Sequence, residues 1–492
     1  MLRSWLVCLL LAVSVHATAQ APAGAIVIVM VDDADEASVR QLLGWSILTN
    51  IQQRIVGPGV RFANAFATNP ICAPSRATYL TGRYAHNHGV LRNFPPNGGD
   101  KVLFEASTLA VALQPTRRTI LVGKYVNGYD GAHVPAGWDD WRALIDPTTT
   151  SVYNYRLNRN GQVIDRGAAP EDYQTSVLGD EASAAVAAGL ASGEPLFLSV
   201  TPVAPHSEPN LWTFLDGITY DDVWRLFIRP DVRDQVAKPL KWAALSSLPF
   251  LPSLKPSFNT PGEGKFLQRP ELAAADIQWL TFGYRQRLLS LLAVDDLVGK
   301  VAASLGPEAA NTTWIFTSDN GHFLGEHRYG AKQAPYEEAA RIPLYIAGPG
   351  ITPRVEAALV LNTDLAPTIR ELVGLPPDPL ADGRSLVPLL HGTVPADWRR
   401  RLLLEHWGEP AGPGSVFDVP DYVAVRTGPG DTYPNRLYVE WGAGPRELYD
   451  LAADPFQVQS LTDPVAAAAL HERLVALLDC AGATCVTAEG GP

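Results

Sequence analysis

The chain of 492 residues is apolar and acidic, which excludes several classes of protein at once. Hydrophobic residues make up 47% of it and charged residues only 18%, with 41 Gly and 41 Pro. This composition is typical of a folded globular protein and excludes a disordered or low-complexity chain. The 39 basic residues against 51 acidic ones give a net charge of −12, which argues against nucleic acid as a partner. An anionic substrate therefore needs a few locally placed cations.

The first residues have the pattern of a secretory signal. Arg3 precedes an apolar stretch over 6–15, and the small residues of a cleavage site follow at 17–19. The sequence therefore predicts a signal peptide over 1–19, cleaved near Ala19, and a secreted or periplasmic protein. The apolar stretch is shorter than the ~20 residues of a membrane span, so we expect no transmembrane segment.

Short apolar runs then alternate with segments of helical periodicity. The run AIVIVMV at 25–31 is typical of a strand buried on both faces of a parallel sheet. Further strands are predicted at 195–200, 313–317 and 342–347, and helices at 38–55, 105–114, 175–191 and 284–304. The segment 205–270 is rich in Pro, Trp and polar residues, and we interpret it as a long excursion over the C-terminal edge of the sheet. The alternation predicts an α/β fold.

The pattern changes after about residue 390. Strands are predicted at 401–407, 421–427 and 436–441, and one helix at 464–479. We therefore expect a catalytic domain over 20–390 and a smaller C-terminal α+β domain over 391–492 that carries an antiparallel sheet.

Three cysteines remain once Cys8 leaves with the signal peptide. Cys480 and Cys485 lie in a Gly-containing loop after the last predicted helix, and an oxidising compartment would let them form a disulfide. Cys72 is then an unpaired thiol, which in a secreted protein is a candidate for chemistry.

Two polar pairs follow predicted strands, Asp32-Asp33 after the first and Asp319-Asn320 after the strand at 313–317. Ligand sites in open α/β sheets lie outside the carboxyl ends of the strands, so both pairs belong at one edge. Three carboxylates and one amide oxygen suit Ca²⁺ or Mg²⁺. Each pair alone is more often a turn or a helix cap, so the metal site depends on both pairs meeting.

A third motif is CAPSR at 72–76, which continues as ATYLTGRY. Pro74 suits the first turn of a helix that Gly82 ends, and this places Cys72 at a helix N-terminus, where backbone N–H groups favour an anion. A buried, unreactive cysteine is the plain alternative. The pattern C-x-P-S-R is the one at which type I sulfatases have a cysteine oxidised to Cα-formylglycine. The chain therefore resembles the sulfatase family, from Asp32 to about Asp454.

The resemblance implies an alkaline-phosphatase-like sulfatase fold, with a large, mixed, mostly parallel sheet flanked by helices. It implies catalytic roles for Cys72, Arg76, Lys124, His206, Lys332 and Asp319. It implies metal ligands at Asp32, Asp33, Cys72, Asp319 and Asn320, with Ca²⁺ favoured and Mg²⁺ possible.

Individual roles also follow from the resemblance. Lys124 would bind the sulfate, Arg76 would support the modified side chain, and Asp319 would help to deprotonate the hydroxyl that attacks sulfur. His206 or Lys332 would give a proton to the leaving alcohol.

One departure from the family lies beside Lys124. Many arylsulfatases have Lys-x-His, whereas this chain has Lys124-Tyr125-Val126, and whether Asn127 replaces the histidine is left open. His322, Glu326 and His327 would either line the substrate entrance or cap a helix.

The order of GKYVNGY, HVPAGWDDW, VYNY, TPVAPHS, LLAVDDLV and WIFTSDNG is similar to that in N-acetylglucosamine-6-sulfatases. It implies a sulfuric ester hydrolase that acts on the 6-O-sulfate of N-acetylglucosamine in glycans, with glycosaminoglycan or mucin-type sulfates first. It also implies maturation by a formylglycine-generating enzyme. The alternatives are an arylsulfatase of other specificity, a phosphonate or phosphate ester hydrolase with the same signature, and an exported sugar-binding protein with a silent site. The aromatic residues at 153–155 would stack on a sugar or pack in the core.

Overall fold

The computed structural model describes residues 24–206, 249–409, 419–442 and 444–490. The predicted signal peptide and most of the predicted excursion at 205–270 lie outside these residues. No helix in the described ranges combines the length and the apolar character that a membrane crossing needs.

Ten of the described strands form one large sheet. They are β1 (Ile26–Val31), β2 (Val60–Phe66), β3 (Arg118–Gly123), β4 (Asp140–Leu144), β5 (Arg156–Arg159), β6 (Gln162–Asp165), β7 (Leu196–Thr201), β8 (Thr313–Ser318), β9 (Leu344–Ala347) and β10 (Arg354–Leu361). Their order is β10-β2-β9-β8-β1-β7-β3-β4-β5-β6. The five central strands, β8, β1, β7, β3 and β4, run parallel. The predicted α/β fold with a mixed, mostly parallel sheet is confirmed.

Strand β1 lies at the centre of this sheet, and both of its faces are buried. Alternate side chains point to opposite faces of a strand. Val27 and Val29 pack in the core on one face, and Ile26 and Ile28 pack in the core on the other. Burial on both faces explains why this segment is a continuous apolar run rather than an alternating one.

Helices cover both faces of the sheet. The longer helices are α1 (Glu36–Gly44), α2 (Cys72–Thr81), α3 (Gln174–Ser192), α4 (Ala274–Leu305), α5 (Leu365–Leu372), α6 (Pro464–Leu478) and α7 (Ala483–Gly490). Shorter helical segments are Thr49–Ile51, the π-helical Gln52–Val56, Ala85–His88, Leu109–Leu113, Glu337–Ala340 and Val387–Leu390, with 3₁₀ turns at Glu105–Ser107, Pro170–Asp172, Leu251–Leu254, Gly306–Asn311 and Asn362–Asp364.

Three of the predicted helices differ from the observed ones. The helix predicted over 284–304 begins ten residues earlier, at Ala274. The helix predicted over 38–55 is interrupted, because α1 ends at Gly44 and Ser46 adopts a positive φ of 55°, which no α-helix accommodates. The helix predicted over 105–114 is shorter, since a 3₁₀ turn and Thr108 in extended conformation precede Leu109–Leu113.

The C-terminal part carries a separate antiparallel sheet, as predicted. Its strands are β11 (Arg401–His406), β12 (Tyr422–Thr427), β13 (Arg436–Trp441) and β14 (Arg446–Asp450), paired in that order. Strand β14 was absent from the prediction, because its sequence RELYD covers only 5 positions and lacks the alternation of polar and apolar residues that is typical of a strand. Helix α6 contributes its buried leucines to the same core as this sheet.

Cys480 and Cys485 form the predicted disulfide. Cys480 follows α6, but Cys485 lies within α7 and not in a loop. Among the described cysteines, Cys72 is free and buried.

Candidate active site

The two polar pairs meet at the carboxyl ends of β1 and β8. These strands pair in parallel with Val31 opposite Ser318, so the residues that follow them lie side by side. The backbone N–H of Asp33 donates to Asp319 Oδ1 at 3.0 Å, and Asn320 Nδ2 donates to Asp33 Oδ1 at 2.7 Å. The register between β1 and β8 is therefore sufficient to bring the two polar pairs together.

The predicted nucleophile, Cys72, lies at the start of helix α2, at this same edge of the sheet. Cys72 is its first residue, Pro74 lies in its first turn, and Gly82 ends it with a φ of 71°, as the sequence predicts. Every residue of α2 is buried. Ser75 fastens the helix to the sheet, because its hydroxyl donates to the carbonyl of Asp319 and accepts from Asn362 Nδ2.

The Cys72 thiol lies among groups of both charges. Its Sγ is 2.8 Å from Lys332 Nζ and 3.6 Å from Asp32 Oδ1. Lys332 also donates to Asp33 Oδ1. The predicted nucleophile, one predicted cation and two predicted metal ligands are thus in direct contact.

Two more predicted cations surround the same carboxylates. Lys124, which follows β3, donates from Nζ to Asp32 Oδ2 at 2.6 Å. Arg76 donates from Nε to Asp319 Oδ2 at 2.9 Å and from Nη1 to the carbonyl of Lys124 at 2.9 Å. Its Nη2 also lies 3.4 Å from Asp32 Oδ2, so Arg76 links three of the strand ends through one buried guanidinium.

Two histidines face Asp33 from other segments. His206, on the segment after β7, has Nε2 at 3.7 Å from Asp33 Oδ2. His322 has Nδ1 at 3.6 Å from the same oxygen. From the sequence, His322 would lie either at the substrate entrance or at a helix cap, and the structure favours a position at the site.

Arg287 is a site residue that the sequence did not suggest. It lies in the middle of α4, where Nη1 donates to the carbonyl of Pro205 at 3.1 Å and Nη2 donates to the carbonyl of Asp33. It thereby holds the segment of His206 against the first strand end. An arginine among the buried apolar residues of a helix, here between Tyr284 and Leu288, is the signal that could have found it.

The structure also bears on the other residues whose roles the sequence leaves open. Glu326 accepts from Lys255, and His327 is hydrogen-bonded to Lys265 at 2.9 Å, so both belong to a neighbouring cluster. Tyr155 is buried in the main core, which supports packing rather than sugar stacking for that ring. The side-chain oxygen of Asn127 is buried and has no partner among the described residues.

The charges in this buried site shift the pKa values of its acids in opposite directions. Burial by itself would raise the pKa of Asp32 and of Asp33, but Lys124 and Lys332 respectively hold these pKa values below the ordinary range. Burial raises the pKa of Asp319 to about 6, with a further contribution from the charge of Asp32. Two carboxylates are therefore ionised while the third titrates near neutrality.

The Cys72 thiol is a poor nucleophile in its unmodified form. Burial raises its pKa to about 12, although Lys124 and Lys332 act in the opposite direction. The thiolate, not the thiol, is the reactive species. An unmodified Cys72 would therefore react slowly at neutral pH.

The residues fit a hard divalent cation. Ligand atoms of Asp32, Asp33, Cys72 and His206 lie within 4.8 Å of one another. Asn320 Oδ1 is buried beside them and has no hydrogen-bond partner among the described residues. An orphaned amide oxygen next to ionised carboxylates is the donor set that Ca²⁺ or Mg²⁺ prefers.

Comparison with known families gives two matches. The sulfatase family matches residues 25–375, and the family described as N-sulphoglucosamine sulphohydrolase, C-terminal, matches residues 325–481. Among individual proteins, human N-acetylglucosamine-6-sulfatase is 31% identical to this chain, over 94% of this chain and 86% of the human protein.

Solved structures share the fold. One, of a protein in complex with its substrate D-glucosamine-2-N,6-O-disulfate, superposes with a TM-score of 0.68 at 24% identity, covering 93% of this chain and 97% of that chain. The phosphonate monoester hydrolase of Silicibacter pomeroyi superposes with a TM-score of 0.63 at 22% identity, covering 91% and 93%. Since the fold accommodates both reactions, the fold alone does not choose between them.

Proposed function

Because the chain belongs to the sulfatase family, we propose that it removes the 6-O-sulfate from N-acetylglucosamine in glycans. The observation that carries the proposal is the position of Cys72, at the start of α2 and in contact with Lys332 and Asp32. The 31% identity to human N-acetylglucosamine-6-sulfatase over most of both chains supports the choice of substrate. The enzyme class, sulfuric ester hydrolase, follows from the family itself.

Formylglycine derived from Cys72 would supply a hydrated aldehyde, with one hydroxyl to attack sulfur and a second to release the sulfate afterwards. Burial and the charge of Asp32 raise the pKa of the Asp319 carboxyl, and we assign Asp319 to take a proton from the attacking hydroxyl. Arg76 orients Asp319 through the 2.9 Å hydrogen bond described above.

A divalent cation, for which we favour Ca²⁺ over Mg²⁺, would be held by Asp32, Asp33, Asp319, Asn320 and the modified Cys72 side chain, and would supply positive charge to the sulfate oxygens. We assign Lys124, which follows β3, to the sulfate. Lys332 and His206 lie on segments from other strands, and we assign them to the leaving oxygen.

We further propose that the protein is secreted or periplasmic and that a formylglycine-generating enzyme matures it. The basis is the predicted signal peptide at 1–19 and the CAPSR motif. The partition into a catalytic domain over 20–390 and a C-terminal domain over 391–492 belongs to the same proposal.

The substrate proposal is tested by comparing esters on the purified enzyme. We expect kcat/KM for N-acetylglucosamine 6-sulfate to exceed that for a phenylphosphonate or a phosphate monoester by at least about tenfold. Released sulfate and phosphate are measured directly. A preference for the phosphonate would favour the rival hydrolase, and a preference for aryl sulfate would favour an arylsulfatase of other specificity.

The roles of Lys124 and His206 separate kinetically. A nitrophenol leaving group needs little protonation, so we expect His206→Ala to lose about 100-fold or more on the sugar sulfate and far less on nitrophenyl sulfate. Lys124→Ala should harm both substrates alike, because the sulfate is common to them. His471→Ala, on the partly exposed side of α6, is the matched control. Equal losses for His206→Ala on both substrates would make it a binding residue instead.

A further inference from the structure

A short segment after β11 contacts the loop that follows the helical segment Ala85–His88. The backbone N–H of Asn93 donates to Glu409 Oε1 at 2.5 Å, and Arg92 Nε donates to the carbonyl of Gly408 at 2.6 Å. The first contact holds the Glu409 carboxylate and the second holds the backbone of the residue before it, although both residues lie beyond the end of a strand.

Asn93 connects this carboxylate to the nucleophile. Its side-chain Oδ1 accepts from the backbone N–H of Ala73 at 2.8 Å, and Asn93 is only 6% exposed. Ala73 is the residue after Cys72. Glu409 is therefore held two hydrogen bonds away from the start of α2, in a fixed relation to the reacting position.

The two oxygens of the Glu409 carboxylate differ in their contacts. Oε2 is buried and makes no hydrogen bond with any residue that the structure describes. A buried carboxylate oxygen without a donor costs free energy, so a donor is expected from outside these residues. Burial raises the pKa of Glu409, while the hydrogen bond from the Asn93 N–H and the charges of Arg92 and Lys332 oppose that rise. Of these groups, Lys332 is one of the cations that contact Cys72.

The charge of Glu409 decides which part of a substrate it faces. A carboxylate repels the sulfate, which the cations around Cys72 attract. It accepts hydrogen bonds from neutral hydroxyl groups, which a sugar has on several ring carbons and a simple aryl ester lacks. The partner that fits is a hydroxyl on the leaving-group side.

We propose that Glu409 is a specificity-determining residue whose free carboxylate oxygen accepts a hydrogen bond from a ring hydroxyl of the sugar, with Asn93 as the positioning residue that fixes it relative to Cys72. The inference rests on the proposed function, and it adds the residue that recognises the sugar.

Glu409→Gln is the variant that tests it. The amide keeps an oxygen for the N–H of Asn93 and replaces the free oxygen by a group that cannot accept. We expect kcat/KM for N-acetylglucosamine 6-sulfate to fall by about 10- to 100-fold, and kcat/KM for nitrophenyl sulfate to stay within about twofold. Glu472→Gln, an exposed position on α6, is the matched control. An equal loss on both esters, or no loss on the sugar ester, would overturn the proposal.

Binding of unsulfated N-acetylglucosamine, followed by saturation-transfer NMR, gives a readout that does not depend on turnover. The wild-type chain should bind this sugar and Glu409→Gln should bind it more weakly. If the wild type hydrolyses only aryl esters and does not bind the sugar, the Glu409 proposal is wrong while the sulfatase activity stands. If no sulfate ester is hydrolysed but the sugar binds through Glu409, the proposed function fails and the subsite remains.

Discussion

Replacing Cys72 by alanine is expected to abolish sulfate ester hydrolysis, with a loss of at least about 1,000-fold in kcat, and to leave the fold intact. The side chain is small and buried, and its substitution by alanine removes one atom from a helix that Ser75 still fastens to Asp319. The reacting group is lost, while the surrounding cations and carboxylates keep their places. Turnover is measured by sulfate release, and folding by circular dichroism and urea titration.

Two further variants make this result interpretable. Cys72→Ser should also be inactive wherever the host converts only cysteine, although serine fits the same space. The double variant Cys480→Ser/Cys485→Ser removes the disulfide between the other two described cysteines, which lie after α6 and within α7, and it should keep its activity. Mass spectrometry of the peptide with position 72 should find an aldehyde in the active enzyme. Turnover by Cys72→Ala would falsify the assignment of the nucleophile.

The sequence predicts the centre of this site because the strands there are buried on both faces. Such strands are continuous apolar runs, so the polar residues that end β1 and β8 stand out at 32–33 and 319–320. Strands nearer the sheet edge are harder to recognise. In β6, which is largely exposed, polar and apolar residues mix over 4 positions, and nothing in such a segment distinguishes a strand from a loop.

Residues that act through tertiary contacts were not predictable in this way. Arg287 sits in a helix with ordinary periodicity, and its role depends on the carbonyls of Pro205 and Asp33, which only the folded chain brings to it. Glu409 is a single carboxylate after a strand, and its relation to Cys72 runs through Asn93, more than three hundred residues earlier in the chain. A local pattern can mark an arginine among apolar helix residues, but it contains no signal for the distant groups that such a residue contacts.

Removal of divalent cations is expected to abolish activity and also to weaken the binding of inorganic sulfate by at least about tenfold. Lys124 pairs with Asp32 at 2.6 Å and Lys332 pairs with Asp33, so both lysines contact carboxylates that are also proposed to hold the cation. An incoming sulfate would meet ionised Asp32 and Asp33 in a buried pocket, where repulsion is poorly screened. With a cation bound to these carboxylates, the lysines become available to the anion.

Calorimetry with sulfate as the titrant measures the change in sulfate affinity separately from turnover. It compares chelated enzyme with enzyme loaded with Ca²⁺ or Mg²⁺. We expect Ca²⁺ to restore both sulfate affinity and turnover more fully than Mg²⁺, because a cage of several carboxylates and an amide suits the larger ion. Asp33→Asn should lower the affinity for the cation, whereas Asp180→Asn, whose exposed carboxylate pairs with Lys300, should not. Sulfate binding that is unchanged by chelation would show that Lys124 and Lys332 can bind the anion without the cation. Full activity in metal-free enzyme would show that the cation takes no part in the mechanism.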